Sequence, residues 1–234
     1  MSEAGIELPA QWLDAVAFGT RVLRSDESPW RVPAQMGPFL RELCGYLGLG
    51  PMQLDLAKAL EIYADARDEP VEDRLDDPRF RAALEEALAS TLATAGDHPV
   101  VLAVPGPGRL AAGGDPLAPA NDDLMDDAAF ALTDLLRAVF VPGLSALAVD
   151  EERADALSFL APLRNLAGDY GVPLILRGPA ELIGEGACQN ADRLYTVGPV
   201  TSLSPGETAT LRYAELPADT SPEDALAIAG ALYR

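Results

Sequence analysis

The chain has 234 residues, of which 49% are hydrophobic, and its formal net charge is −20. This apolar content excludes a disordered chain, and no apolar run reaches the roughly 18 residues that a membrane-spanning helix needs. The negative charge argues against nucleic acid and anionic membrane surfaces as partners, because both would repel the chain. The two cysteines, Cys44 and Cys188, form no disulfide framework, so we expect a cytoplasmic protein.

The first 97 residues are predicted to be mainly helical and to pack on the remainder of the chain within one structural domain. Apolar residues recur there at helical spacing, Gly48 ends one helix, and Asp77 caps another that begins at Pro78. The predicted helices span residues 8–23, 33–47, 51–66 and 78–94, and an acidic surface loop is predicted at 67–76.

Residues 98–234 are predicted to form a β/α core, because short apolar runs alternate with helix-length segments. Runs that are apolar on both faces are typical of parallel strands covered on both sides. The predicted strands span residues 100–104, 144–149, 173–177 and 193–197, with an antiparallel or edge strand within 207–216. The predicted helices span 122–140, 151–170, 179–186 and 222–233, and a Gly/Pro-rich loop is predicted at 106–121.

The expected fold class is therefore α/β with right-handed crossovers. Only about five strands are visible, whereas a complete eight-stranded barrel usually takes roughly 250 residues. The sequence predicts a reduced TIM-barrel-like fold, or an open and mostly parallel sheet, with a helical N-terminal extension.

Ligands of parallel sheets bind beyond the carboxyl ends of the strands. The segments that follow the first three predicted core strands should therefore meet at one mouth. These segments contain the loop 105–109 and the residues Asp150, Glu151 and Arg177.

The loop Pro105-Gly106-Pro107-Gly108-Arg109 is the strongest candidate for ligand contact. Glycines let the backbone approach a ligand, and the next helix could present free N–H groups. It is not a phosphate-binding loop, since no Gly-Lys-Ser/Thr ends it. It is not a dinucleotide fingerprint either, because its prolines lack the N–H groups that a pyrophosphate needs. Substrate contact through Gly106, Gly108 and Arg109 and a rigid structural turn both remain open.

Asp150 and Glu151 are candidate catalytic residues, since paired carboxylates can divide acid and base roles between them. The alternative is that Asp150 ends a strand and Glu151 starts a helix. Arg177 ends an otherwise apolar strand, where a charge is costly unless it is paired or wet. It is expected either to bind a substrate carboxylate or to pair with Asp150.

Metal or cofactor binding is not expected. His98 is the single histidine and precedes the first core strand, which places it at the rim opposite the mouth. A Ser-His-Asp arrangement is disfavoured for that reason. Cys44, His98 and Cys188 lack the clustered spacing of a zinc site. Capping explains the aspartates at 122–127, and Cys188 is interpreted as a packing residue rather than a thiol nucleophile.

Three segments together resemble the uroporphyrinogen decarboxylase and cobalamin-independent methionine synthase superfamily. Residues 104–111 are similar to its strand followed by Gly-Pro-x-x-Leu-Ala, and residues 148–151 to its strand ending in Asp-Glu. Residues 28–35 are loosely similar to a Pro- and Trp-containing loop of the decarboxylases. The resemblance implies a barrel that performs decarboxylation or methyl transfer. It also implies that Arg31, Arg109 and Arg177, with Asp150, hold a carboxylated substrate, although the zinc ligands of the methyltransferases are missing.

Two functional hypotheses follow. The first is an enzyme that acts on a small carboxylated or methylated substrate at the carboxyl ends of the strands. The second is a non-catalytic binding or assembly subunit that keeps the fold and binds a protein partner, with a homo-oligomer also allowed. A deep mouth with convergent polar groups favours the enzyme.

Overall fold

The computed structural model describes residues 9–24, 27–63, 70–113, 121–182, 187–189, 191–203 and 211–233. Its strands are β1 (Gln11–Asp14), β2 (Met52–Asp55), β3 (Val100–Pro105), β4 (Ala146–Asp150), β5 (Leu174–Gly178), β6 (Arg193–Val197) and β7 (Arg212–Glu215). Its helices are α1 (Val16–Arg24), α2 (Met36–Leu47), α3 (Leu56–Tyr63), α4 (Val71–Asp76), α5 (Pro78–Thr94), α6 (Pro107–Ala111), α7 (Asp122–Val139), α8 (Ala161–Tyr170) and α9 (Pro222–Tyr233). Short 3-10 helices lie at Pro29–Arg31, Pro33–Gln35, Asp155–Leu160, Ala187–Gln189 and Val200–Ser202.

All seven strands of the sheet are parallel, in the order β1-β7-β6-β5-β4-β3-β2. This is the order of a barrel that runs once around, with β1 and β2 as two ends that share no backbone ladder. Helices surround the sheet. The α/β prediction is confirmed, and the form is that of a reduced, nearly closed TIM-barrel-like fold.

The interior of the barrel is filled by one small cluster. Trp12 on β1 packs edge-to-face against Tyr195 on β6 and Tyr213 on β7, with ring centroids 5.7 Å apart in both pairs. Small side chains face these rings from β3 and β4. The members of the cluster are Trp12, Val101, Ala103, Ala146, Ala148, Ile175, Tyr195 and Tyr213. The alternate residues of the strands, such as Leu102 and Leu147, belong to the larger core between sheet and helices.

The helices predicted at 8–23 and 51–66 were wrong in their first turns, which are strands β1 and β2. Trp12 and Leu13 are consecutive and both buried, because one faces the barrel interior and the other the outer core. Each strand is only four residues long and passes into a helix within two residues, so its apolar residues extend the helical pattern without a break. The N-terminal region is therefore part of the sheet as well as a helical layer.

The last strand was also predicted wrongly, as an antiparallel or edge strand. β7 is parallel and lies between β1 and β6, since β1 covers the side that would otherwise be exposed. The predicted acidic loop contains α4, and a short helix, α6, occupies the start of the predicted loop 106–121. Residues 64–69, 114–120 and 183–186, and the side chain of Cys188, lie outside the described residues.

The predicted helix boundaries with explicit capping signals are confirmed. The Asp77 side chain accepts hydrogen bonds from the N–H groups of Arg79 and Phe80 at the start of α5. Gly48 ends α2 in the left-handed region at φ 70°. Among the described residues, no helix is both long and apolar enough to cross a membrane.

Two glycines of α2 give a matched test of how this helix packs against α5. A Cβ at Gly37 would lie 2.2 Å from the Ser90 carbonyl oxygen, whereas a Cβ at Gly45 meets nothing within 4 Å. We expect Gly37→Ala to lower the free energy of unfolding by about 1–3 kcal/mol or more through overpacking against α5. Gly45→Ala should raise it by roughly 0.5–1 kcal/mol through helix propensity. Urea denaturation measures both, and equal effects of the two changes would contradict the α2–α5 contact.

Candidate functional site

Four strands end in a carboxylate at the mouth of the barrel. Asp14 ends β1, Asp55 ends β2, Asp150 ends β4 and Glu215 ends β7. Sequence reasoning found only Asp150, because the other three lie in segments predicted as helices or as an edge strand. Asp14 and Asp55 share one sequence signal, because both end a short segment in Leu-Asp: Gln-Trp-Leu-Asp and Met-Gln-Leu-Asp.

Arg177 lies at the centre of the mouth, almost completely buried, and pairs with Asp150. Its Nε and Nη2 donate to the two Asp150 oxygens over 2.6 and 2.7 Å. Its Nη1 donates to Gln53 Oε1 on β2 over 2.6 Å. The guanidinium also lies over the rings of Tyr213 and Trp12, at 4.1 and 5.2 Å from their centroids.

The contacts of Gln53 continue this arrangement across the gap between β1 and β2. Its Nε2 donates to Asp14 Oδ2 over 2.7 Å, and the Tyr213 hydroxyl donates to the same oxygen over 2.9 Å. We call Arg177, Asp150, Gln53, Asp14 and Tyr213 the Arg177 network. Burial opposes the charge on Arg177, but Asp150 offsets it, so the pKa of Arg177 is raised. The sequence left two alternatives open for Arg177, a bond to a substrate carboxylate or a pair with Asp150. The structure contains the pair with Asp150.

A first cavity of about 430 Å³, the Arg109 cavity, opens beside this network. It brings together four residues that the sequence predicted to meet: Arg109, Asp150, Glu151 and Arg177. The remainder of the wall adds opposite charges from neighbouring loops and strand ends, together with several uncharged groups. These other lining residues are Glu152, Arg153, Gly178, Pro179, Val197, Tyr213 and Glu215.

Glu151 is fully buried. Its carboxylate accepts hydrogen bonds from backbone N–H groups rather than facing open solvent. Oε2 accepts from the N–H of Gly108 over 2.9 Å, and Oε1 accepts from the N–H groups of Glu152 and Arg153 over 2.9 and 3.0 Å. Burial raises the pKa of Glu151, and the three backbone donors oppose that rise. The carboxylate thus ties the loop after β4 to the loop after β3.

The glycines of the 105–109 loop are required by this buried carboxylate. A Cβ at Gly106 would lie 2.4 Å from Glu151 Oε2, and one at Gly108 would lie 2.9 Å from Oε1. The Gly106 N–H donates to the Asp150 carbonyl over 2.7 Å. Neither glycine lines the Arg109 cavity, so this geometry corresponds to the structural-turn alternative. Arg31 is exposed and also lies outside its lining.

A second cavity of about 420 Å³, the Asp55 cavity, lies on the β1–β2 side of the mouth. Asp14, Asp55 and Glu215 contribute to its wall, and Glu215 is shared with the Arg109 cavity. The remaining lining comes from α1, α3, the segment before α2 and the segment after β7. It consists of Val16, Ala17, Thr20, Ser28, Pro29, Trp30, Lys58, Glu61, Ile62 and Ala218.

Crowding of carboxylates at the mouth raises the pKa of two acidic side chains, Asp55 and Glu215. Burial, with the charges of Asp150 and Asp14, raises the pKa of Asp55 to about 7, against the opposing effects of Arg177 and Lys58. Desolvation and the charges of Asp14 and Asp150 also raise the pKa of Glu215. Asp55 therefore exchanges its proton near neutral pH, as a general acid or base must.

The other sequence candidates lie away from the mouth. His98 is at the amino-terminal rim, where its Nδ1 lies 2.9 Å from the Gly50 carbonyl oxygen. Cys44 is buried, and its burial raises the pKa of the thiol to about 12. Within the part of the chain that the structure describes, no group of three or more His, Cys, Asp or Glu side chains could hold a metal ion.

Comparison with protein-family models finds none that matches this chain, and comparison with curated proteins finds no match either.

Removing Arg177 should destabilise the barrel. Arg177→Ala leaves Asp150 and Gln53 without their buried partner, so we expect a loss of about 3–5 kcal/mol in unfolding free energy. Asp150→Asn in the Arg177→Ala background should restore part of that loss, because the unpaired charge is gone. Thermal and urea unfolding measure both effects.

Arg137→Ala is the control, because it removes only an exposed i,i+3 pair with Asp134. It should change the free energy of unfolding by less than about 1 kcal/mol. An Arg177→Ala melting curve like that of the wild type would contradict the network.

Asp55→Asn should stabilise the protein in a pH-dependent way. Asp55 has a higher pKa folded than unfolded, so ionisation costs stability as the pH rises from about 4 through about 7. Asparagine avoids this cost and keeps an acceptor for the Ala57 N–H. We expect equal stability near pH 4 and a gain of up to ~4 kcal/mol near pH 8. Urea unfolding at both pH values, with the exposed Asp126→Asn as control, measures it. A difference that does not change with pH would count against the raised pKa.

Proposed function

We propose that the protein is an enzyme that acts on a small carboxylated substrate in the Arg109 cavity. The chemistry would be of the decarboxylase type, as the resemblance to the uroporphyrinogen decarboxylase and methionine synthase superfamily implies. One observation carries the proposal: a cavity of about 430 Å³ at the carboxyl ends of parallel strands is lined by arginines and carboxylates from different strand ends. This is the place and the size expected of a small-molecule site.

Arg109 is the group proposed to bind the substrate carboxylate. It is half-buried at the start of the helical segment after β3, and it takes part in none of the ion pairs among the described residues. A guanidinium matches a carboxylate with two parallel hydrogen bonds. A methyl group would gain nothing from this residue, so its charge favours a carboxylated over a methylated substrate.

Asp150 and Glu215 are proposed to act on the reacting carbon. Asp150 is held in one orientation by Arg177, so its carboxylate can stabilise positive charge on the substrate. Glu215 has a raised pKa and can supply a proton. In the proposed step the bond to the carboxylate breaks, carbon dioxide leaves, and the electron pair left on carbon takes the proton of Glu215. Water then reprotonates Glu215.

The second candidate function, a non-catalytic binding subunit, is favoured by a specific observation. The N–H group of Gly108 is occupied by Glu151 and the guanidinium of Arg177 by Asp150 and Gln53. Both features serve the fold, so the Arg109 cavity could bind a carboxylate without turning it over.

Arg109→Ala and Glu215→Gln separate substrate binding from proton transfer. Purified protein is incubated with a small-molecule extract, and mass spectrometry identifies compounds that lose carbon dioxide. We expect Arg109→Ala to weaken binding of that compound about tenfold or more, because a charge-assisted pair is lost. Glu215→Gln should keep binding and slow turnover.

Arg137→Ala on α7 is the charge-matched control and should leave binding unchanged. Retention of a carboxylic acid without turnover would favour the non-catalytic candidate. Turnover that Arg109→Ala leaves intact would overturn the proposed binding mode.

A further inference from the structure

We propose that the Asp55 cavity binds a small organic cation with an apolar body, such as an arylalkyl or alkyl ammonium ion. This cavity is separate from the Arg109 cavity, and the proposal does not depend on the decarboxylase reaction.

The walls of the Asp55 cavity suit an apolar body. Val16 and Ala17 on α1 face it from one side, and Ile62 on α3 from another. Pro29 and Trp30 line it from the 3-10 turn before α2, and the Trp30 carbonyl is fixed by the Tyr63 hydroxyl at 2.5 Å. A volume of about 420 Å³ is within the usual range for small-molecule pockets.

The charges that line the cavity are unbalanced. Four carboxylates line it, against the single cation Lys58. Lys58 donates to both carboxylate oxygens of Glu61, over 3.1 and 3.3 Å. Asp14 accepts from the Val16 N–H and, within the Arg177 network, from Gln53 and Tyr213. Asp55 and Glu215 are left with less compensation.

Asp55 offers one oxygen to a ligand. Its Oδ1 accepts from the Ala57 N–H over 2.9 Å, which caps the start of α3. None of the described residues donates a hydrogen bond to its Oδ2. Asp55 lines a cavity whose wall also contains the apolar side chains of Val16, Ala17 and Ile62, and a carboxylate beside apolar groups is the arrangement that an ammonium group on a hydrocarbon requires.

The groups that face Asp55 explain why a cation is favoured. Asp14 on β1 and Asp150 on β4 repel its negative charge, and Glu215 on β7 adds to the negative field of the same cavity. Arg177 on β5 and Lys58 on α3 attract it, but both are already paired. A bound ammonium ion relieves the repulsion and lets Asp55 lose its proton. A ligand carboxylate would be repelled, so a zwitterion should bind poorly here, in contrast to the Arg109 cavity.

Calorimetry with three matched probes tests the proposal. At pH 8, 2-phenylethylamine should bind, while its neutral isostere 2-phenylethanol and the zwitterion phenylalanine should bind at least about tenfold more weakly. Asp55→Asn should weaken amine binding about tenfold or more, and the exposed Asp126→Asn on α7 should not. Near pH 7, titrations in two buffers of different ionisation heat should reveal proton release in the wild type that Asp55→Asn lacks.

A variant that blocks the space without changing charge keeps the test independent of Asp55. Ala17→Leu on α1 should abolish amine binding, whereas Ala231→Leu, exposed on α9, should leave it intact. Absence of amine binding to the wild type at millimolar concentration would overturn the proposal. Amine binding that survives both Asp55→Asn and Ala17→Leu would place the amine outside the Asp55 cavity, and would overturn the proposal as well.

Discussion

The buried guanidinium of Arg177 is the constraint on which the mouth of this barrel depends. A charge in a nearly closed apolar interior must be paired, and its partners come from β4 and β2. The same chain of side chains then passes from Gln53 to Asp14 on β1 and to Tyr213 on β7. These contacts join the two ends of the sheet at the point where no backbone ladder connects them. Among the described residues, side chains rather than an eighth strand complete the ring.

The packing of the barrel interior follows from the same arrangement. Trp12 and Tyr213 lie under the Arg177 guanidinium, so large rings occupy the β1 and β7 side. Alanines on β3 and β4 leave room for them. Trp12 thus has two functions: it fills the β1 side of the barrel interior, and it provides a π surface for the buried charge.

The acidic ends of four strands divide the mouth into two chemically different cavities. Three arginines balance most of the four carboxylates that line the Arg109 cavity, whereas four carboxylates line the Asp55 cavity against the single cation Lys58. Glu215 lies at the boundary and belongs to both walls. The two proposals use this separation, with a carboxylated substrate on one side and an organic cation on the other.

Glu151 shows how a feature that suggests a ligand can serve the fold. A loop with two glycines before a helix favours anion binding, and an anion is indeed present, but it is the protein's own side chain. Its buried carboxylate holds three backbone N–H groups and joins the segments after β3 and β4. The same residue therefore positions Arg109 and Asp150 without itself facing open solvent.

The local patterns of the sequence determined the α/β class, the strands β3 to β6, the capped ends of α2 and α5, and the meeting of Arg109, Asp150, Glu151 and Arg177 at one mouth. Those features depend on residues close together in the chain or on the general rule that parallel strands end at one edge. The strands β1 and β2, the parallel position of β7 and the acidic cavity at Asp55 were decided only by the tertiary structure. Four-residue strands that run straight into helices carry too little local signal, and they become strands because the sheet pairs and buries them on both faces. The partners of Arg177 lie 27 and 124 residues away in the chain, so only the closure of the barrel could show that its charge serves the fold.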